Sequence, residues 1–150
     1  MSDAVHGRPA LVTEAEGLRT GPGALQVGES FEYSRTVTEA MSARHLGSGT
    51  VGVLATPAMI SMMEGASMQC SQPYLDEGQT TVGYIVNIRH LAPTPIGAEV
   101  RTRSEVRAVD GRKITYAVAT YQGDQKVGDG EHVRVVIESS AFVDGAGGTS

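Results

Sequence analysis

The stretch A-T-P-A-M-I-S-M-M-E-G-A-S-M-Q-C (55–70) leaves this chain few ways to fold. Met59, Met62, Met63, Ala66 and Cys70 recur at helical spacing and make one apolar stripe. Thr56 suits an N-cap, where its hydroxyl accepts from an unpaired amide of the first turn. Pro57 then takes the first helical position, where a missing N–H costs nothing. The spacing predicts a helix over 57–72, ended by Pro73, which disfavours helical geometry in the residue before it. At roughly 100° per residue, Glu64 stands about 140° from Met59, off the stripe.

The rest of the regular pattern is strand. Phe31, Tyr33, Arg35 and Val37 alternate with Glu32, Ser34, Thr36 and Thr38. Residues 39–55 break that period, and Gly47, Gly49 and Gly52 mark a mobile loop before the helix. After the helix a strand is expected over 79–92, with Val82, Tyr84, Val86, Ile88 and His90 on one face and Thr81, Ile85, Asn87, Arg89 and Leu91 on the other. Pro93–Gly97 reads as a tight connection. Val100, Thr102, Ser104, Val106 and Ala108 then alternate with Glu99, Arg101, Arg103, Glu105 and Arg107, whose charges require water or a rim. Asp110-Gly111 signals a hairpin into 112–122. The last strand covers about 126–139, with Val127, Val133, Val135 and Ile137 on one face and Gly128, Gly130, His132 and Arg134 on the other. Its glycines weaken a strand interior and point to a bulge or a close approach. Residues 1–27 and 143–150 show no period and read as flexible tails around a domain at 28–142.

The order is one strand, one helix, then four strands taken as hairpin-linked. A single apolar helix cannot cover both faces of a five-stranded antiparallel sheet, so the sheet must curl around it. That is the hotdog arrangement, an α+β fold with a five-stranded antiparallel sheet wrapped around one long central helix.

Composition narrows the function. A net charge of -5 with no basic run excludes nucleic acid as the main partner. No apolar run is long enough for a secretory signal or a membrane span, and the single Cys70 cannot make an internal disulfide, so a reducing, cytoplasmic setting is expected. There is no metal-binding Cys/His cluster, no phosphate loop and no serine nucleophile elbow. Neither metal nor cofactor is expected.

His90 ends an apolar strand face. It reads as a core imidazole bonded to a carbonyl, or as a general base working near neutrality. Glu64, beside Ser61 and Ser67, reads as a solvated carboxylate or as a nucleophile or acid–base group. Thr56 is sufficiently explained as a cap, Arg134 as a rim charge, and Met59, Met62, Met63 and Met68 as core filling. His6 and His45 have no evident partner.

The segments A-T-P-A-M-I-S-M-M-E (55–64), T-V-G-Y-I-V-N-I-R-H-L-A-P-T-P-I-G (81–97), V-D-G-R (109–112) and V-G-D-G-E-H-V-R (127–134) resemble the fluoroacetyl-CoA thioesterase family of hotdog proteins in order and spacing. That resemblance implies a catalytic Thr56, Glu64 and His90, and substrate contacts from Gly83 and Arg134. It also implies hydrolysis of a small acyl-CoA or acyl-carrier thioester without metal or cofactor. The chain departs from the fluoroacetyl-specific enzyme in the loop L-G-S-G-T-V-G-V-L (46–54), which lacks that enzyme's Phe-bearing segment, so fluoroacetyl selectivity is not expected. Two rivals are a hotdog hydratase or dehydratase, which needs a close Asp/His pair, and a non-catalytic acyl-thioester or small-molecule binding protein. An exposed sheet edge is an association hazard, so a C2 homodimer with joined sheets is expected, with Glu64 and His90 near the interface.

Overall fold

The computed structural model describes residues 24–148. Five strands and one long helix carry the fold: β1 (Ser30–Thr36), α2 (Thr56–Ser71), β2 (Gln79–His90), β3 (Glu99–Asp110), β4 (Lys113–Gln122) and β5 (Gln125–Glu138). A short helix α1 (Ala43–Leu46) precedes α2, and a helix α3 (Ser139–Gly148) follows β5. The strands form one antiparallel sheet in the order β1-β3-β4-β5-β2, and α2 packs against all five. This is the hotdog architecture expected from the element order.

The connectivity differs from a run of hairpins. β3–β4 and β4–β5 are hairpins, whereas β2 leaves its sequence neighbour β3 and pairs with β5 at the far edge. The curl of the sheet makes this possible. It lets the connection after β2 cross the end of the sheet, where Leu54 N–H donates to Thr94 O at 2.8 Å and Gly97 N–H to Val37 O at 2.8 Å.

The stripe of α2 is buried as expected, with Met59, Met63 and Ala66 almost fully covered. Ser67 and Ser71 belong to it too, and Ser67 is therefore not beside Glu64 on the outer side. Their hydroxyls meet Ser104 Oγ and Tyr116 Oη, each at 2.8 Å. The helix is thus seated on the sheet by paired hydroxyls as well as by apolar contact, and each of these buried hydroxyls has its partner.

Bulges reassign faces that strict alternation predicts. An irregularity between Val106 and Ala108 exposes Ala108 and turns Val109 toward the core. Another, between Gly83 and Ile85, interrupts the expected faces of β2 and leaves Tyr84, Ile85 and Val86 all exposed. In β5 the inward face is His132, Arg134 and Val136, while Val133, Val135 and Ile137 are only half-buried. Val127 is fully buried. The glycines of β5 are explained by close approach: a Cβ on Gly128 would meet Met59 Sδ at 2.5 Å, and one on Gly130 would strike the Asn87 carbonyl.

The domain is longer than expected at both ends. Ala24, Leu25 and Gln26 are buried, so residues 24–26 pack against the core. Residues 143–148 continue α3. The remainder of the expected tails, His6 included, lies outside the described residues.

Candidate active site

The start of α2 is where the observed geometry departs most from the expected cap. Ala55 is the N-cap, extended at φ -75° and ψ 145°, and Thr56 is already helical. The Thr56 hydroxyl therefore does not cap its own helix. It lies 2.7 Å from His90 Nδ1 at the end of β2. His90 Nε2 is buried and has no hydrogen-bond partner among the described residues. Burial holds the imidazole below its ordinary pKa, an effect partly offset by the backbone of Ala92. A neutral ring with one nitrogen engaged and one free is the state that a general base requires.

Beside this pair is a depression of about 420 Å³, lined by Val51, Val53, Leu54 and Leu91 with Thr56 and His90. No Phe or Tyr among the described residues lines it. The loop above it is tethered at several points. Ala43 N–H donates to Val53 O at 2.9 Å, Arg44 N–H to Val51 O at 3.2 Å, and the Arg44 guanidinium lies over Gly52. Arg44 is itself held by Glu39 at 2.7 Å. A larger depression of about 960 Å³ lies on the outer face of the sheet among Arg89, Arg103, Glu105 and Tyr121, away from this chemistry.

Glu64 lies elsewhere. Eight residues along α2 from Thr56 correspond to about 12 Å of rise. There its carboxylate, 39% exposed, faces Arg134 Nη1 at 3.8 Å and His132 Nε2 at 3.9 Å. Gly83 permits that position, since a Cβ there would sit 2.6 Å from Glu64 Oε2. Arg134 is no rim charge. It is 7% exposed, donates through Nε to Thr81 Oγ1 at 2.7 Å and through Nη2 to Thr81 O at 2.9 Å, and is lowered in pKa by burial. The chain thus brings Thr56 to His90, and Glu64 to Gly83 and Arg134, as two separate groups.

Sequence reasoning missed His132 and Thr81. The signal for His132 was its spacing of two from Arg134, which places both on one strand face. Among the described residues no group of three or more His, Cys, Asp or Glu side chains is placed to hold a metal. No helix among them is long and apolar enough to cross a membrane.

A family model described as FlK: Fluoroacetyl-CoA-specific thioesterase matches residues 37–140. The fluoroacetyl-CoA thioesterase of Streptantibioticus cattleyicolor is 32% identical over 124 residues, 79% of this chain and 89% of that protein. A solved structure of the fluoroacetyl-CoA thioesterase FlK superposes with a TM-score of 0.80 at 30% identity, covering 85% of this chain and 98% of that one. A thioesterase superfamily member from Thermus thermophilus superposes with a TM-score of 0.73 at 28% identity, covering 79% and 88%. On fold, matched span and identity together, the chain belongs to the fluoroacetyl-CoA-specific thioesterase family of hotdog-fold thioester hydrolases.

Proposed function

We propose that the protein hydrolyses small acyl-CoA thioesters in the cytoplasm, as a C2 dimer whose sites each combine Thr56 and His90 of one protomer with the partner's Glu64. The observation that carries the catalytic reading is the Thr56–His90 contact at the start of α2. The thioester carbonyl would lie over the first turn, whose Thr56 and Ala58 amides carry the partial positive charge of a helix N-terminus and hold the oxyanion. His90 Nε2 takes the proton of the attacking water. The water oxygen bonds to the carbonyl carbon, the C–S bond breaks, and the proton passes to the departing thiolate. The partner's Glu64 orients that water.

The dimer reading is supported by the geometry of β2. It is an edge strand, and its exposed Tyr84, Ile85 and Val86 lie between Gly83 and His90. Antiparallel pairing of two such edges about a twofold at Val86–Asn87 sets Gly83, and the Glu64 above it, opposite the partner's His90. The aliphatic lining beside His90 favours a short acyl chain. A free, buried Cys70, its thiol pushed up to about 12 by burial, suits a reducing compartment.

The decisive experiment mixes two inactive homodimers. Thr56→Ala and Glu64→Gln each remove one half of every site. After subunit exchange, mixed dimers carry one doubly altered and one intact site, so about a quarter of parent turnover returns for a statistical mixture. No recovery despite demonstrated exchange places the whole site in one protomer. Full activity of Glu64→Gln alone removes the carboxylate from the mechanism.

A further inference from the structure

His132 is 1% exposed, lies outside the Thr56–His90 pair, and has both ring nitrogens committed. Nδ1 lies 2.8 Å from the Ile85 carbonyl oxygen, and Nε2 lies 3.1 Å from Arg134 Nη1. A carbonyl only accepts and a guanidinium only donates. The ring must therefore carry its hydrogen on Nδ1 and offer its lone pair on Nε2. A second proton would set an N–H against the Arg134 N–H groups. The ring is also stacked on Tyr116, with centroids 6.2 Å apart and planes at 28°. The Tyr116 hydroxyl is in turn bonded to Ser71 of α2.

Arg134 needs this acceptor. Thr81 takes Nε and Nη2, which leaves Nη1 to His132 and to the looser approach of Glu64. A buried guanidinium with one acceptor missing would turn toward the nearest alternative, the Glu64 carboxylate, and draw it out of place.

We propose that His132 is a positioning residue: neutral and protonated on Nδ1, it holds Arg134 at a fixed distance from Glu64 and so keeps the carboxylate directed at the thioester. This rests on the catalytic reading of Glu64 given above. The groups facing the ring are Glu64 from α2, Arg134 from β5, Tyr116 from β4 and the Ile85 carbonyl from β2. Ile85 lies on the exposed edge of β2, so the ring also ties the orientation of Arg134 to the conformation of that edge.

Two isosteres separate the two ring nitrogens. In His132→Gln the amide oxygen replaces Nε2 and still accepts from Arg134; in His132→Asn the amide nitrogen replaces Nδ1 and donates only to Ile85. Hydrolysis of acetyl-CoA is followed by thiol release for both, with thermal unfolding in parallel. His132→Gln should stay within about threefold of the parent, and His132→Asn should lose about tenfold or more, in kcat rather than KM, at similar stability. Nitrogen NMR of the parent should show a protonated Nδ1 and a bare Nε2, and the Arg134 side-chain signals should shift in His132→Asn and not in His132→Gln. Equal activity of the two variants, or a proton on Nε2 at neutral pH, overturns the proposal. If His132→Asn does not fold, the tautomer in the parent decides. Full turnover by Glu64→Gln overturns the catalytic reading instead, while the Arg134 signals still report whether His132 orders the guanidinium.

Discussion

The hydroxyl of Thr56 and Nδ1 of His90 lie 2.7 Å apart, joining the first turn of the central helix to the end of an edge strand 34 residues later. Because Ala55 is the cap, Thr56→Ala removes no capping bond. We expect it to cost under about 1 kcal/mol of stability, the scale of one exposed hydrogen bond, while turnover falls sharply. Thr56→Ser should keep most of the activity. Urea unfolding and thiol release on the same preparations test this; a large stability loss in Thr56→Ala would return Thr56 to a structural role.

Gly83→Ala places a methyl group where Glu64 Oε2 now lies. The carboxylate ends a flexible, half-exposed side chain, so the fold should tolerate the change within about 1 kcal/mol. Turnover should fall by about tenfold or more as the carboxylate is displaced. An unchanged kcat would show that the position of Glu64 does not matter.

Both His90 and His132 are held below the ordinary histidine value of 6.5, chiefly by burial. His90 therefore stays a base below that value, and the acid limb of kcat/KM should fall below pH 6.5. For stability the sign follows from proton counts. Between the folded and unfolded values the unfolded chain binds more protons, so stability rises with pH through that window. It is complete above the unfolded value and is lost as the pH falls below it. Urea midpoints at about pH 7.5 and pH 5 should show the decrease, and His132→Gln should make it smaller. A midpoint that rises on acidification would contradict both burials.

The aliphatic lining at Val51, Val53, Leu54 and Leu91 offers no aromatic gate against non-fluorinated acyl groups. Acetyl-CoA, or a slightly larger acyl-CoA, should be turned over comparably to fluoroacetyl-CoA. A preference for the fluorinated substrate of about a hundredfold or more in kcat/KM would show that the loop discriminates by other means.

Joined β2 edges predict that Val86→Glu, which sets a charge on the exposed centre of the edge, separates the dimer. Light scattering at micromolar protein should give the dimer mass for the parent and the monomer mass for the variant. A monomeric parent that hydrolyses thioesters would exclude the composite site.

The helix and all five strands could be read from the sequence because period and turn chemistry are local. What could not be read depends on contacts far along the chain. Nothing in 79–92 says that β2 prefers β5 to β3; the curl around α2 decides that. The bulges at Tyr84 and Arg107 each add one residue, which alternation alone does not reveal, and so the faces beyond them were misassigned. Ser67 looked like an outer-face residue because its partner, Ser104, lies on a strand 37 residues away. Thr56 and His90 were read apart, one as a cap and the other as a core imidazole or a base, since only the observed Ala55 cap frees the Thr56 hydroxyl to reach the ring. Arg134 looked like a rim charge for the same reason: its acceptors, Thr81 and His132, are assembled only when β2 docks on β5.

The pairing of β2 with β5 also orders events during biosynthesis. Gln79 pairs with Glu138 and His90 with Gly128, so the strand bearing Gly83 and His90 must wait for nearly the whole domain to leave the ribosome before its ladder can close. Until then its apolar side chains and unpaired backbone are open to other nascent chains, and such long-range pairing is slow. The Arg134 that faces Glu64 arrives on the same late strand. A polypeptide stalled before β5 would therefore carry Gly83 and His90 on a strand without its partner, and Glu64 without the Arg134 that it faces.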